Sequence, residues 1–114
     1  MNMLILLVLK SIVTVAFLFA GTAKLMRMKA VCEQFHDFRL PPEIMVFIGV
    51  LEIVGAVLLW FDVMTLWAFS GLACLMLGAI KSHSNAKHPP ANYIPATIMF
   101  GLCAAGAILF NWLN

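Results

Sequence analysis

Of five acidic residues, seven lysines and arginines and three histidines, one carboxylate lies deep inside an apolar run. Glu52 falls inside the run from Ile44 to Leu59. A carboxylate deep in hydrocarbon is costly unless it is protonated or paired, so its side chain is expected to face other helices or a wet cavity. Gly49, Gly55 and Ala56 stand three and four residues from Glu52 and share its face of a helix. Small residues there let a second helix come close. Lys24, near the end of the first apolar segment, is the expected cationic partner, with Gly21 and Phe17 on its side. Lys10 and Thr14 extend that side into a polar stripe of Lys10, Thr14, Gly21 and Lys24. Two readings stand: Lys24 snorkels to the interface while Glu52 is held by interhelical hydrogen bonds, or the two line a polar pocket in which Glu52 accepts or carries a proton.

Further candidates cluster beyond the apolar runs. His83 and His88 belong to one connection, and Cys32, His36 and Asp37 to another. The spacing from His83 to His88 is no established ligand pattern and no paired-cysteine motif exists, so no metal is expected. His83 is the better candidate for titration near neutral pH beside a pocket, and a histidine favoured by a helix C-terminus is the plain alternative. The three cysteines, Cys32, Cys74 and Cys103, are odd in number and widely spaced, which argues against a disulfide framework. Cys74 and Cys103 are expected to be buried, with Cys32 accessible.

The elements that must position these groups follow from hydropathy. Of 114 residues, 64% are hydrophobic and 11% charged, and the mean hydropathy is +1.04. Four apolar stretches, 3–26, 43–61, 63–81 and 92–113, are each long enough to cross a bilayer. Unpaired backbone groups are not tolerated in lipid, and these runs are continuous rather than alternating. The expectation is an all-α transmembrane four-helix bundle forming a single domain, 1–114. Pro41-Pro42 and Pro89-Pro90 open the second and fourth helices, where a missing N–H costs nothing. Phe61 and Asp62 alone separate the second and third, predicting a tight antiparallel pair with Asp62 as N-cap. Met28, Val31, Cys32, Phe35 and Phe38 recur at helical spacing among charged residues, predicting a short amphipathic segment at the interface. A solvated connector and a re-entrant segment are the alternatives.

Charge gives the orientation. Lys24, Arg27, Lys29, Arg39, Lys81 and Lys87 fall at one face and Lys10 alone toward the other, so the first and third loops are expected in the cytoplasm and both termini outside. The first segment contains Lys10 and lacks an N-terminal basic region, so it is expected to be retained rather than cleaved. The net charge of +2 forms no basic run or patterned face for nucleic acid. Gly21-Thr22-Ala23-Lys24 and Gly78-Ala79-Ile80-Lys81 echo each other half a chain apart, the trace of a duplicated helical hairpin or a coincidence.

The stretch Phe17-Leu18-Phe19-Ala20-Gly21-Thr22-Ala23-Lys24-Leu25, then Phe35, Leu40-Pro41-Pro42 and Gly49-Val50-Leu51-Glu52-Ile53-Val54-Gly55-Ala56, resembles the DoxX-like family of small four-helix membrane proteins. The resemblance covers nearly the whole chain, including the basic, histidine-containing segment with Lys81, His83 and His88. By motif position it implies a polar centre of Glu52, Lys24 and His83. Lys10, Thr14, His36 and His88 are secondary candidates from the reading of the residues. The family shares architecture more than chemistry, so the resemblance transfers no catalytic residue and leaves open whether the chain is an enzyme. Small size, short loops and the lack of a compact nucleophile, metal or nucleotide motif favour an accessory or assembly subunit in the bilayer of a bacterial inner membrane, with a membrane protein partner or a second copy of itself. Quinone is the cofactor the resemblance suggests. A small enzyme or lipophile-binding protein built on Glu52, Lys24 and His83 is the alternative. A transporter is weaker, because four helices make a thin wall.

Overall fold

A chain surrounded by hydrocarbon satisfies its amides most simply within its own helical turns, and helix is the regular structure found. The computed structural model describes residues 2–113, with no strand among them. The elements are α1 (Asn2–Leu25), α2 (Lys29–Asp37), α3 (Pro42–Leu58), α4 (Thr65–Asn85) and α5 (Pro90–Leu113). The outermost residues of the expected domain, 1 and 114, lie outside the described range. Within α1, α4 and α5, the segments Met3–Leu25, Thr65–Asn85 and Asn92–Leu113 are long and apolar enough to cross a membrane. At 17 residues α3 spans about 25 Å. Its axis is bent by 116° from that of α2, and the two together qualify as one broken or re-entrant span. The described fold is therefore five helices with three candidate spans, or four if the bent pair is one, in place of the four plain helices read from hydropathy.

Local chemistry sets most boundaries. Pro41 is extended (φ −71°, ψ 158°) and Pro42 opens α3, with Glu43 in its first turn. The amphipathic segment is a helix, α2, with Phe35 buried against its neighbours. Three helices end alike. Arg27, Arg39 and Lys87 adopt left-handed φ values of 54°, 61° and 60°. At each, the following amide bonds five residues back: Met28 N to Ala23 O, Leu40 N to Phe35 O and His88 N to His83 O, at 3.0–3.1 Å. This is the Schellman arrangement, normally carried by glycine. Here a basic residue fills each position, placing a cation beside the negative end of a helix.

The junction between α3 and α4 departs from expectation. Leu58 ends α3, six residues intervene, and the residue at the N-cap position is Met64, without a side-chain cap bond. Asp62 is exposed and caps nothing. Instead buried Thr65 donates its hydroxyl to Leu59 O (2.9 Å) and Phe61 O (3.1 Å), tying the turn to the start of α4. Leu59, the C-cap residue of α3, is itself fully buried. The α3–α4 pair packs less extensively than α1 on α3 or α4 on α5, despite the short connection.

The tightest crossing is between α1 and α3. A Cβ on Gly21 would lie 2.8 Å from Gly49 O and 2.6 Å from Ile53 Cγ1; one on Gly49 would lie 2.9 Å from Lys24 Cβ and 3.0 Å from Gly21 O. Backbone cannot give way as a side chain can, so glycine is required on both sides. Gly78, the counterpart of Gly21 in the sequence echo, has open space around it, so the echo does not extend to packing. Val13, Phe17, Ala56, Leu59, Phe69, Leu72 and Cys103 fill the core. Large apolar side chains such as Phe19, Trp67, Ile108 and Trp112 face outward, 70–80% exposed, as lipid-facing residues must. Gly49→Ala should lower the melting temperature in detergent markedly, consistent with an overpacking cost of about 1–3 kcal/mol. Gly78→Ala should leave it unchanged or slightly raised; equal melting of the two variants would contradict the crossing.

Candidate functional site

Close packing of α1 on α3 places the first candidate pair. The Lys24 stem lies on Gly49, and its ammonium reaches Glu52 three residues on, with Nζ 2.7 Å from Oε1. The Glu52 side chain is 1% exposed and that of Lys24 15%. Oε1 is buried and receives no hydrogen bond of good angle from any described donor, so the charge of the ammonium is what holds it. Ion pairing thus replaces both the simple snorkelling of Lys24 and a purely hydrogen-bonded Glu52. Shallow grooves adjoin α2 and the α4 C-terminus, and neither is lined by Lys24 or Glu52.

About four turns earlier on α1, Lys10 is also buried. Its ammonium lies 5.6 Å from the Trp60 ring and 5.8 Å from that of Phe110, within cation–π range. Trp60 in turn donates its indole N–H to Thr14 Oγ1 at 2.8 Å. The polar stripe on α1 is therefore used at two separate places: Lys10 and Thr14 meet Trp60, and Lys24 meets Glu52.

His83 belongs to a third group. It lies within α4, which continues past the expected end at residue 81 to Asn85, and it is buried. His83 Nδ1 is 2.8 Å from His88 Nδ1, and His88 Nε2 is 3.1 Å from Asp37 Oδ2. Phe38 sets its ring edge against His83 at 4.9 Å between centroids, and Tyr93 lies 6.4 Å away. Among the described residues no hydrogen bond or ion pair joins His83 to Lys24 or Glu52. His88 reaches His83 because left-handed Lys87 folds the chain back at the end of α4. Asp37 arrives from the last residue of α2.

His36 is exposed and lines a shallow groove with Asp37, Arg39, Leu40 and Pro41. A second, half-open groove of about 690 Å³ runs between Asp37–Leu40 and the segment holding Ser82 and Asn85–Lys87. No group of three His, Cys, Asp or Glu side chains among the described residues is arranged to hold a metal. The cysteines differ from expectation: Cys103 is buried but Cys74 is exposed on the outer face of α4, and Cys32 is half-buried with its thiol 3.3 Å from Arg27 O. The roles of Trp60, Phe110 and Phe38 were not signalled by the sequence, because aromatic residues in an apolar chain carry no mark of which cation or imidazole they will cover.

Apolar helices of spanning length, polar groups turned inward and a basic rim at one end define an integral membrane protein. The profile of the DoxX-like family matches residues 8–109, and the chain belongs to that family. No curated protein and no solved structure gives a match to it.

Removing one member of a buried pair strands the other. Lys24→Met should therefore cost about 3–5 kcal/mol in detergent unfolding. Glu52→Gln should cost less, since the remaining ammonium can move to the interface. The double variant Lys24→Met/Glu52→Gln should recover most of the loss, and additive losses in this cycle would rule out a direct interaction.

Proposed function

We propose that this protein is an accessory or assembly subunit acting inside a bacterial inner membrane through helix–helix contacts, with α3 as a fourth span and α2 lying in the interface. The observation that carries the reading is the use of the buried carboxylate. Glu52 is engaged by Lys24 inside a glycine-lined crossing, a structural use of the charge, whereas wide apolar faces on α1, α4 and α5 point outward. Such faces serve lipid and partner helices alike, and small residues with open space around them, Gly71, Gly78 and Gly101, offer sites where a partner helix can approach closely. A polar centre around Glu52 serving a lipophile has less support, since the described grooves lie elsewhere.

The basic residues support one orientation. Arg27, Lys29, Arg39, Lys81 and Lys87 gather where α1 and α4 end and α2 lies, which by the bias of short loops is the cytoplasmic side. The partner class suggested by the family resemblance is a quinone-linked oxidoreductase, with quinone bound by the complex rather than by this chain alone.

Two measurements test this. In a cysteine-free background, Ser84→Cys should be labelled by an impermeant thiol reagent only after the membrane is opened, and Asp62→Cys in intact cells; the reverse pattern would invert the topology. Extraction in mild detergent at native expression should return the chain in a complex with another membrane protein. A chain that always elutes alone would refute the accessory role.

A further inference from the structure

The contacts around His83 constrain where its protons sit. An ionised carboxylate only accepts hydrogen bonds, so His88 carries a proton on the Nε2 that faces Asp37. When His88 is neutral, its Nδ1 is then a bare acceptor. The 2.8 Å contact between the two Nδ1 atoms needs one proton, and that proton must belong to His83. His83 Nε2 is left as the lone-pair nitrogen. It has no hydrogen-bond partner among the described residues and is not sealed from the surface, although the side chain as a whole is only 6% exposed.

An acceptor held in this way selects its ligand. It binds an O–H or N–H donor and repels an anion. Arg39 and Lys87 stand at the adjoining groove against one carboxylate, Asp37, which His88 already engages, so an ammonium donor is disfavoured and a neutral hydroxyl favoured. Phe38 and Tyr93, with ring centroids 4.9 and 6.4 Å from that of His83, give the site an aromatic wall suited to an apolar body. We propose that His83 Nε2 is a binding site for the hydroxyl head of a neutral amphiphile, its acceptor state fixed through His88 by Asp37. Asp37 is here a positioning residue, acting across three elements on a nitrogen it does not touch. The site is separate from the Lys24–Glu52 pair and does not depend on the protein partner proposed above.

The test uses the full chain, labelled with nitrogen-15 histidine, in detergent at about pH 8, above the ordinary imidazole range. His83 should show a protonated Nδ1 coupled through the hydrogen bond to His88 Nδ1. Adding para-octylphenol should shift the His83 Nε2 resonance saturably. Its methyl ether, para-octylanisole, has no O–H and should not. Asp37→Ala, which leaves His88 Nε2 without its acceptor, should weaken the phenol response about fivefold to tenfold, the worth of one hydrogen bond's alignment. Asp37→Glu, which keeps the acceptor, should restore it, with helicity unchanged in both variants. A protonated His83 Nε2 in the free protein, an equal response to both probes, or an unaltered response in Asp37→Ala would each overturn the proposal.

Discussion

The rest of the architecture depends on how closely α1 can approach α3. In hydrocarbon there is no hydrophobic gain from joining two apolar helices, so close contact and polar pairing must supply the attraction. Gly21 and Gly49 allow the backbones to meet, and that proximity brings the Lys24 ammonium to the Glu52 carboxylate. The two features support each other: a bulkier crossing would part the charges, and an unpaired Glu52 would oppose burial of the crossing. Gly55 extends the same logic to α4, where a Cβ would meet Leu72 Cδ2 at 2.8 Å.

Around this crossing the two ends of the molecule are built differently. At one end Lys10 is buried beneath Trp60 and Phe110, and the Trp60–Thr14 hydrogen bond fixes the turn after α3 onto α1. At the other, three helices close with basic residues in left-handed conformations. Each such residue costs on the order of 1 kcal/mol more than glycine would. The offset is electrostatic, since each cation meets the carbonyl end of a helix at the level where charge can remain hydrated. The same closures turn His88 back onto His83 and Leu40 back toward α2, so the basic rim and the histidine group share one structural cause.

What the sequence by itself determined was the part governed by local physics. Long apolar runs in a membrane protein must be helical, the paired prolines marked where α3 and α5 begin, and helical periodicity exposed α2 ahead of the first pair. A lone carboxylate among small residues, with a lysine at the end of the preceding segment, was enough to read the Lys24–Glu52 pair, because a buried charge in such a setting has few partners to choose from.

Only the tertiary structure decided the remainder. The 116° bend between α2 and α3, made where left-handed Arg39 closes α2 ahead of Pro41-Pro42, and the early end of α3 at Leu58 are features that hydropathy averages away. The Asp37–His88–His83 group joins α2 to both sides of the α4 terminus through turns that carry arginine or lysine where glycine would have announced them. Spacing along the chain specifies which residues share a face of one helix. Which faces meet depends on backbone closures and side-chain fit across elements, and no periodicity encodes these.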